Sequence, residues 1–527
     1  MRSTSPLRCT LLSALALVGA ATEAHAAPAA TLSMTKLQAP DNVTQAVDGF
    51  GASVSIYGTT IMVGAPGRFQ GETPSAVYVF GPSGPAWAQR QKLLAPDENG
   101  DSEFGASVSL DGLTAIVGAP GASVGTSFAG AAYVLTRMGS TWTHQQRLVA
   151  VDGMGKPVGV SGELFGGSVC VSGDVAVVGA PKADGWQGAA YVFARSGSGS
   201  TWTLQQKLTA NDPARAEELG ASVAVSGDTV IAGAPYADIN GGAAYVFVRS
   251  GPASTWTLQQ RLQPDEAVAY DGFGDDAALA GDTALVGPYV FVRTGATWTQ
   301  RAKLAAPADD LTELATAGAV SASIALVGDM WTTVGTNDHA GAMYLFTPGS
   351  AGWMPAPRVI APDGMTDDRF GASLALSGKT FVVGAPTLFA QGSAYVGTLA
   401  GVDAQPVPEL DAGSDPPDAA TERSDAADAG APIEPSVDAG PAATDTSVGD
   451  GGVGSSDAPA SDVASPARAD GSSDAPGGRE DSGADAGKHP SHGDGCSCAV
   501  SRGDGLFGFV QLLGILLACA STKRRRR

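Results

Sequence analysis

The sequence predicts an all-β protein, a seven-bladed β-propeller of four-stranded blades. A cassette recurs along the chain with a period of about fifty residues, which is the length of one four-stranded blade. It is clearest as Phe104-Gly-Ala-Ser-Val108, then Val117-Gly-Ala-Pro120, then Ala131-Ala-Tyr-Val-Leu135. The composition agrees, because the 527 residues include 71 Gly and 33 Pro and only 16% are charged. One such sheet cannot bury both of its faces, so several must pack around an axis.

Each copy of the cassette contains segments with the patterns of β-strands. The first, Phe104–Leu110 in the second copy, alternates small residues with Val and Leu, as a strand near a crowded ring axis requires. The second, Thr114–Val117, ends at Gly-Ala-Pro, because proline has no N–H to donate to a ladder. The third, Ala190–Phe193 in the third copy, is aromatic and β-branched, which favours a strand.

The fourth strand is predicted to be the outermost strand of each blade. In the third copy it is Thr201–Leu208, where a period of two would place Trp202, Leu204 and Leu208 on one face. The other face is polar and carries Lys207. A polar strand with a lysine is how an exposed sheet edge is kept from pairing with another molecule.

The count of fourth strands indicates how the ring closes. The copies open at Phe50, Phe104, Phe165, Leu219, Phe273, near Gly318 in a degenerate copy, and at Phe370. Fourth strands follow the first six copies, at Trp87, Trp142, Trp202, Trp256, Trp298 and Trp353. The seventh copy stops at Leu399, and the missing strand stands before the first copy, at Leu32–Leu37. We therefore predict that the N-terminal strand completes the last blade and leaves no free sheet edge.

Copies five and six depart from the cassette. Gly287-Pro288 and Gly335-Thr-Asn337 stand where the other copies have Gly-Ala-Pro. The sequence leaves open whether these two blades have all four strands.

The first 26 residues have the pattern of a secretory signal peptide. A basic start, Met1–Arg8, precedes the apolar run Leu11–Ala21, and Ala24-His-Ala26 precedes the expected cleavage after Ala26. The run is shorter than the roughly 20 apolar residues that a membrane anchor needs. We expect an exported protein in which residues 27–400 form the propeller.

Two further segments follow the repeats. Residues 401–495 hold 20 Asp plus Glu against four Lys plus Arg. They are otherwise rich in Ala, Pro, Gly and Ser, so we predict a disordered stalk. Residues 496–527 begin at Cys496, continue through the apolar stretch Leu506–Ala520 and end in Lys523–Arg527. That order is typical of a short transmembrane span with a basic stop. Processing at Cys496 and a plain anchor with unmodified thiols both stay open.

Charge and cysteine content restrict the partners of the protein and the ways in which its fold is stabilised. The net charge of −22 disfavours nucleic acid, because phosphate contacts need clustered Lys and Arg. Of the five cysteines only Cys170 lies in the repeats, so no disulfide framework supports the fold.

The recurring pairs, as in Phe104-Gly105 and Gly118-Ala119-Pro120, resemble the FG-GAP repeats of the integrin α-chain head over residues 32–400. The resemblance implies a seven-bladed propeller used outside the cell for ligand or cell contact. The C-terminal segment resembles a myxobacterial C-terminal sorting signal. That resemblance implies processing near Cys496 and retention at the cell surface, with a lipid on this cysteine as one form of anchor.

Calcium is the one cofactor that the acidic residues in the turns and loops suggest. Integrin blades carry Asp-x-Asp-x-Asp-Gly calcium loops, but the equivalent turns here have one carboxylate each, at Asp174, Asp228 and Asp282. Calcium takes roughly six to eight oxygens, so we predict no metal site at these turns. The loop between the first two blades offers an alternation of oxygens at Asp97, Asn99, Asp101 and Glu103. This loop could bind calcium or could be a solvated turn.

Aromatic residues in loops are the candidate ligand-binding residues. In a propeller, the loops from strand two to strand three and the loops between blades open on the same face. Five of the former carry one aromatic residue each, at Phe69, Phe128, Trp186, Tyr236 and Phe389. These could stack on sugar rings or anchor a protein partner. Alternatively they fold back and cover the core of the blade.

The repeats show no catalytic constellation. Their only histidines are His144 and His339, and neither has a metal-ligand set at a suitable spacing. We expect a monomeric, non-catalytic binding module at the cell surface or outer membrane, or released from it, with an extracellular glycan or protein as ligand. One alternative is a hydrolase with a channel site, which first-strand residues such as Ser107 and Ser222 disfavour. A passive envelope component is the other.

Overall fold

The structure is a computed structural model. It describes residues 32–40, 48–67, 75–97, 102–151, 162–197, 199–212, 218–266, 272–306, 317–349, 352–387 and 391–399. The predicted signal peptide with Ala26, the stalk at 401–495 and the C-terminal segment with Cys496 lie outside these residues. Within the described ranges, no helix combines the length and the apolar character needed to cross a membrane.

The described residues form seven antiparallel four-stranded sheets, or blades, and one two-stranded hairpin. The N-terminal strand is β1 (Met34–Leu37). Blade one consists of β2 (Ser53–Tyr57), β3 (Thr60–Ala65), β4 (Ala76–Ser83) and β5 (Ala86–Leu93). Blade two consists of β6 (Ser107–Asp111), β7 (Thr114–Ala119), β10 (Ala131–Met138) and β11 (Thr141–Leu148), with the hairpin β8 (Ser123–Val124) and β9 (Ser127–Phe128) between its middle strands.

Blade three consists of β12 (Ser168–Ser172), β13 (Val175–Ala180), β14 (Ala189–Ala194) and β15 (Thr203–Leu208). Blade four consists of β16 (Ser222–Ser226), β17 (Thr229–Ala234), β18 (Ala243–Val248) and β19 (Thr257–Leu262). Between their second and third strands, these two blades carry the short helical turns α1 (Ala183–Trp186) and α2 (Ala237–Asn240).

Blade five consists of β20 (Ala277–Ala280), β21 (Thr283–Val286), β22 (Tyr289–Thr294) and β23 (Thr297–Lys303). Blade six consists of β24 (Ala317–Val320), β25 (Ala325–Asp329), β26 (Ala342–Gly349) and β27 (Gly352–Pro355). Blade seven consists of β28 (Ser373–Ser377), β29 (Thr380–Ala385), β30 (Ser393–Thr398) and β1. The open question about the fifth and sixth copies is thus answered, because both form four-stranded blades.

The hydrophobic core is divided among the spaces between blades. The first strand of each blade contacts the first strand of the next, and β28 contacts β2. Buried apolar residues form seven clusters, each filled from two neighbouring blades. One of them is shared by blades seven and one. The predicted seven-bladed β-propeller is therefore confirmed.

The two glycines of the cassette meet where neighbouring blades are closest. A Cβ on Gly118 of blade two would overlap the carbonyl oxygen of Gly166 in blade three. Ser107 donates a hydrogen bond to that same carbonyl at 2.9 Å. The phenylalanine of the cassette is buried edge-on against the tyrosine of strand three, as for Phe104 and Tyr133, whose ring centroids are 5.4 Å apart. The motif therefore encodes close contact between blades.

Glutamine side chains join the fourth strands of neighbouring blades. Gln146 of blade two donates from Nε2 to the carbonyl oxygen of Trp202 in blade three, and its Oε1 accepts the Trp202 N–H, both at 2.8 Å. The same two bonds link Gln91 with Trp142, Gln206 with Trp256, and Gln260 with Trp298. Blade five has Ala302 at the corresponding position. The glutamine links therefore run from blade one to blade five.

A β-bulge changes the predicted faces of the fourth strand. In blade three, Val192 is opposite Gln206 but Phe193 is opposite Leu204, so Gln205 is an extra residue. One extra residue turns the rest of the strand to the other face. Trp202 and Leu204 accordingly pack between blades two and three, whereas Leu208 packs between blades three and four. The prediction that these three side chains share a face was wrong.

The N-terminal strand β1 lies at the outer edge of blade seven. It pairs antiparallel with β30, with Met34 opposite Gly397 and Leu37 opposite Ala394. Beside it, Lys36 Nζ is 2.7 Å from Asp363 Oδ2, and the Tyr395 hydroxyl donates to Asp363 Oδ1 at 2.7 Å. The first and last strands of the described chain are thus neighbours in one sheet.

Candidate functional site

The loops from strand two to strand three and the loops between blades meet at one end of the blades, which we call the loop face. Gly162 N donates to Phe128 O at 2.8 Å, and Glu218 N donates to Trp186 O at 2.9 Å. In blade six, Arg369 N donates to His339 O at 3.0 Å. Each of these bonds joins a loop of one blade to the chain that enters the next blade. The loop face is therefore built from pairs of loops held to each other.

Two of the predicted ligand-binding aromatics project from the loop face. Phe128 is 59% exposed and Trp186 is 53% exposed. Four of the six fourth-strand tryptophans are at most 3% exposed, and they are Trp142, Trp202, Trp256 and Trp298. Tyr236 is half-buried at the start of α2, and Phe69 and Phe389 lie outside the described residues. For Phe128 and Trp186, the alternative that they cover the core of the blade is wrong.

The backbone that presents Trp186 is unusual. Asp184, Gly185 and Trp186 have φ angles of 54°, 70° and 76°. A residue with a Cβ in this left-handed region costs on the order of 1–3 kcal/mol, and such residues cluster at ligand-binding sites. Lys182 Nζ lies 4.2 Å from the centroid of the Trp186 ring and supports it through a cation–π contact. The fold thus keeps a large aromatic ring in water at an energetic cost.

An ion pair ties the Trp186 loop to the fourth strand of its blade. Lys207 Nζ is 2.8 Å from Asp184 Oδ2 and 5.4 Å from the centroid of the Tyr191 ring. Burial alone would lower the pKa of Lys207, but Asp184 and Tyr191 outweigh it and raise the pKa. Blade four repeats the arrangement with Arg261, Asp238 and Tyr245. The loops of both blades are thereby fixed to the outer strands.

Blade six adds an exposed tryptophan that does not belong to the predicted set. Ala317 is opposite Gly328, as Ser107 is opposite Gly118 in blade two, and a Cβ on Gly328 would overlap the carbonyl oxygen of Gly371. The motif glycine of blade six is therefore Gly328, and its assignment to Gly335-Thr-Asn337 was wrong. In the corrected register, Trp331 follows the second strand and is 42% exposed. The constant spacing from first strand to motif glycine was the signal that could have found it.

The single-carboxylate turns lie at the end of the blades opposite the loop face, and each carboxylate has an arginine partner. Arginine Nε atoms donate to them at 2.7, 2.6 and 2.6 Å, in the pairs Arg195–Asp174, Arg249–Asp228 and Arg293–Asp282. The same arginines lie over fourth-strand tryptophans, with guanidinium carbons 4.8, 4.8 and 5.2 Å from the rings of Trp202, Trp256 and Trp298. Through its arginine, each turn is therefore connected to a fourth-strand tryptophan.

Two residues of the candidate calcium loop are described. Asp97 Oδ2 is 2.8 Å from Arg147 Nη1. Glu103 adopts a φ of 55° and accepts the N–H of Ala106 at its carbonyl oxygen, which forms the turn into the first strand. Asn99 and Asp101 lie outside the described residues. In the part of the chain that the structure describes, no group of three His, Cys, Asp or Glu is placed to hold a metal ion.

The serine, cysteine and histidine residues that could take part in catalysis make contacts within the fold. Ser107 and Ser222 of the first strands donate to glycine carbonyls of the next blade at 2.9 and 3.0 Å. Cys170 is fully buried. His144 lies 5.7 Å from the Tyr133 ring centroid, and burial lowers its pKa. The other repeat histidine, His339, lies on the loop face of blade six.

Comparison with known protein families gives a match to a repeat family. A family model described as FG-GAP repeat matches residues 32–80, 87–135, 142–193, 202–247, 256–296 and 353–397. Together these segments cover more than half of the 527 residues. Strands β24 to β26 of blade six fall in the interval between the last two segments. None of the curated proteins matches the sequence.

Proposed function

Because the chain belongs to the FG-GAP repeat family, we propose that it is an exported, surface-anchored binding module that recognises a glycan or a protein through the loop face. The observation that carries this proposal is the display of Trp186, 53% exposed on a left-handed backbone. Large apolar side chains are usually buried, and four of the six fourth-strand tryptophans of this chain follow that rule. An aromatic side chain held in water is typical of a residue that a partner covers.

The neighbouring blade supports the same interpretation. Phe128 stands at the end of the hairpin β8–β9 and is 59% exposed. It belongs to blade two and Trp186 to blade three, so two adjacent blades each present a ring on the same face. Asp184 and Lys182 lie next to Trp186 and supply hydrogen-bonding groups. An apolar ring beside a few polar atoms is a common arrangement in sites for sugars and proteins.

The proposed location follows from the sequence patterns at both ends of the chain. Export would use residues 1–26, with cleavage after Ala26. Residues 401–495 would act as an acidic stalk, and residues 496–527 would retain the protein at the membrane through Cys496 or through the apolar span. In this proposal β1 closes the ring at blade seven, from which the stalk continues.

A glycan and envelope-polysaccharide array, probed with the full-length protein with and without calcium, tests the proposal. We expect saturable binding that Trp186→Ala weakens about tenfold, as for a central aromatic contact. Met138→Ala is the matched control, because Met138 is 72% exposed but lies at the end of β10, beside the β10–β11 turn at the other end of its blade.

Each result of this experiment has a distinct meaning. Equal losses in Trp186→Ala and Met138→Ala would contradict the assignment to the loop face. No binding with or without calcium would remove glycans as ligands and leave a protein partner or a passive envelope role. Conversion of an arrayed glycan to shorter products would favour the hydrolase alternative.

A further inference from the structure

Blade six presents a second aromatic cluster on the loop face. Its Trp331 ring stands edge-on to His339, with centroids 5.2 Å apart and planes at 88°. The guanidinium carbon of Arg369 lies 4.7 Å from the Trp331 centroid, and Arg369 is only 5% exposed. One face of the ring thus rests on a buried cation, while the ring as a whole stays 42% exposed.

Left-handed residues and hydrogen bonds between loops shape the backbone around this cluster. His339, Asp367 and Arg369 have φ angles of 51°, 63° and 57°, in the left-handed region. Asp367 N donates to Asp338 O at 2.9 Å and Arg369 N donates to His339 O at 3.0 Å, so the two loops are hydrogen-bonded together. Because the side chains are positioned before any ligand arrives, binding costs less ordering entropy.

The cluster also offers two hydrogen-bond acceptors. His339 Nδ1 is 3.1 Å from Asp367 Oδ1. A carboxylate only accepts, so Nδ1 carries the hydrogen, and in the neutral imidazole Nε2 is then an acceptor. Among the described residues, neither His339 Nε2 nor Asp367 Oδ2 has a hydrogen-bond partner. These side chains are 47% and 23% exposed, so both atoms belong to groups that water reaches.

The charges of the cluster select among ligands. Asp338, Asp367 and Asp368 lie on the two loops, against the buried cation of Arg369 and the charge of Lys36, which reaches Asp368. An excess of carboxylates repels an anionic ligand, and the Arg369 guanidinium against the Trp331 ring repels a cation that would stack there, so a neutral ligand is favoured. The ligand should also present hydroxyl donors at adjacent positions, because the two residues that carry the acceptors are joined by a hydrogen bond between His339 Nδ1 and Asp367 Oδ1.

We propose that Trp331, His339 and Asp367 form a binding site for a neutral hexopyranoside with a vicinal diol. The inference rests on the proposed function and deepens it by naming the ligand class. The apolar face of the sugar ring stacks on Trp331, and two neighbouring hydroxyls donate to His339 Nε2 and Asp367 Oδ2. The site is separate from Phe128 and Trp186, which belong to blades two and three.

Fluorine NMR of the full-length protein labelled with 5-fluorotryptophan tests this site. Each of the eight tryptophans gives one resonance, and Trp331→Phe and Trp186→Phe identify the two that matter. The probes are the methyl glycosides of galactose, glucose and mannose, each beside a counterpart in which the vicinal hydroxyls are O-methylated. We expect a saturable shift of the Trp331 resonance with at least one parent glycoside and at least tenfold weaker binding of its methylated counterpart.

Asp367→Asn is the decisive variant. Asparagine tolerates the left-handed backbone and can still accept from His339, but its NH₂ group replaces an acceptor by a donor. We expect this variant to bind the glycoside about tenfold more weakly while the buried Trp202 resonance keeps its position. Absence of any Trp331 shift, equal shifts with the methylated sugars, or undiminished binding by Asp367→Asn would each overturn the proposal.

The same spectra separate this inference from the proposed function. Glycan-array binding that depends on Trp186, without a Trp331 response, would leave the proposed function standing and remove the blade-six site. A diol-dependent Trp331 shift in a protein whose array binding is insensitive to Trp186→Ala would support the blade-six site and contradict the role of Trp186.

Discussion

The side-chain amide of Gln146 holds both backbone groups of Trp202, which lies 56 residues further along the chain. Neighbouring blades have no sheet ladder between their outer strands, so a side chain performs the pairing that a backbone would provide within a sheet. Glutamine suits this role because its amide has one acceptor oxygen and an NH₂ donor in one plane. The Gln-Gln pairs of the fourth strands are therefore a device for joining blades.

Gln146→Ala should loosen the joint between blades two and three. Both Trp202 backbone groups lose their partner, which costs about 1–2 kcal/mol for partly buried groups. Native-state hydrogen exchange should report this as a roughly tenfold loss of protection at the Trp202 amide. Thr143→Ala, an exposed change on the same strand, should leave that protection unchanged. Unchanged protection in Gln146→Ala would contradict the joint.

Gly118→Ala should destabilise the propeller strongly. The added Cβ would overlap the carbonyl oxygen of Gly166, and neither backbone can move without separating two blades. We expect a loss of about 3 kcal/mol or more, in the range of severe overpacking. The matched control is Gly251→Ala, because a Cβ there meets no atom within 4 Å. Thermal unfolding of the two variants compares them directly, and similar midpoints would refute the close-contact argument.

Arg195→Lys should lower the free energy of unfolding by more than removal of the carboxylate that Arg195 binds. Arg195 donates to Asp174 and, at 3.0 Å, to Thr114 of the preceding blade, and it lies over Trp202. A lysine ammonium cannot make these contacts together, so we expect a loss of about 1–2 kcal/mol. Asp174 is 52% exposed, so Asp174→Asn should cost under about 1 kcal/mol. Chemical denaturation checks the order of the two effects, and the reverse order would contradict it.

Acid should weaken the contact between β1 and the rest of blade seven. Burial alone would raise the pKa of Asp363, but hydrogen bonds from Lys36 and Tyr395 outweigh it and hold the pKa below the ordinary value. The unfolded chain therefore binds this proton at higher pH than the folded one. The resulting stabilisation is present above about pH 4, the ordinary aspartate value, and is lost as the pH falls through the folded pKa.

The measurement is the thermal midpoint between about pH 5 and pH 2, where an aspartate of lowered pKa titrates. Asp363→Asn should show a shallower fall of the midpoint with acidification than the unmodified chain. Lys36→Met should do the same, because it removes the ammonium partner. Parallel profiles for all three proteins would show that this contact does not contribute to acid sensitivity.

The fold could be predicted from the sequence because its determinants are local and repeated. Phe104, Gly105 and Gly118 recur with their spacing in most copies, and each performs the same contact wherever it occurs. The bulge at Gln205 could not be predicted from a period of two, because an extra residue changes the face without changing the composition. Only the pairing partners in the neighbouring strand reveal it.

The candidate site was predicted in part, for a different reason. Phe128 and Trp186 could be selected because they follow intact Gly-Ala-Pro motifs. Trp331 follows Gly328-Asp329-Met330, so a search for the motif letters passes over it, while the strand register identifies it. Whether an aromatic ring faces water or the core depends on backbone angles such as the φ of 76° at Trp186, which residue types do not specify.

The place of β30 decides how the propeller bears tension. This strand is hydrogen-bonded to β29 on one side and to β1 on the other, and the chain continues from it beyond Leu399. A force applied to the chain after Leu399 acts on a strand that is hydrogen-bonded along both edges. An outermost strand would peel away one bond at a time, whereas β30 must break from two neighbours together. We therefore expect that tension applied through the chain after Leu399 leaves the strands of blade seven paired.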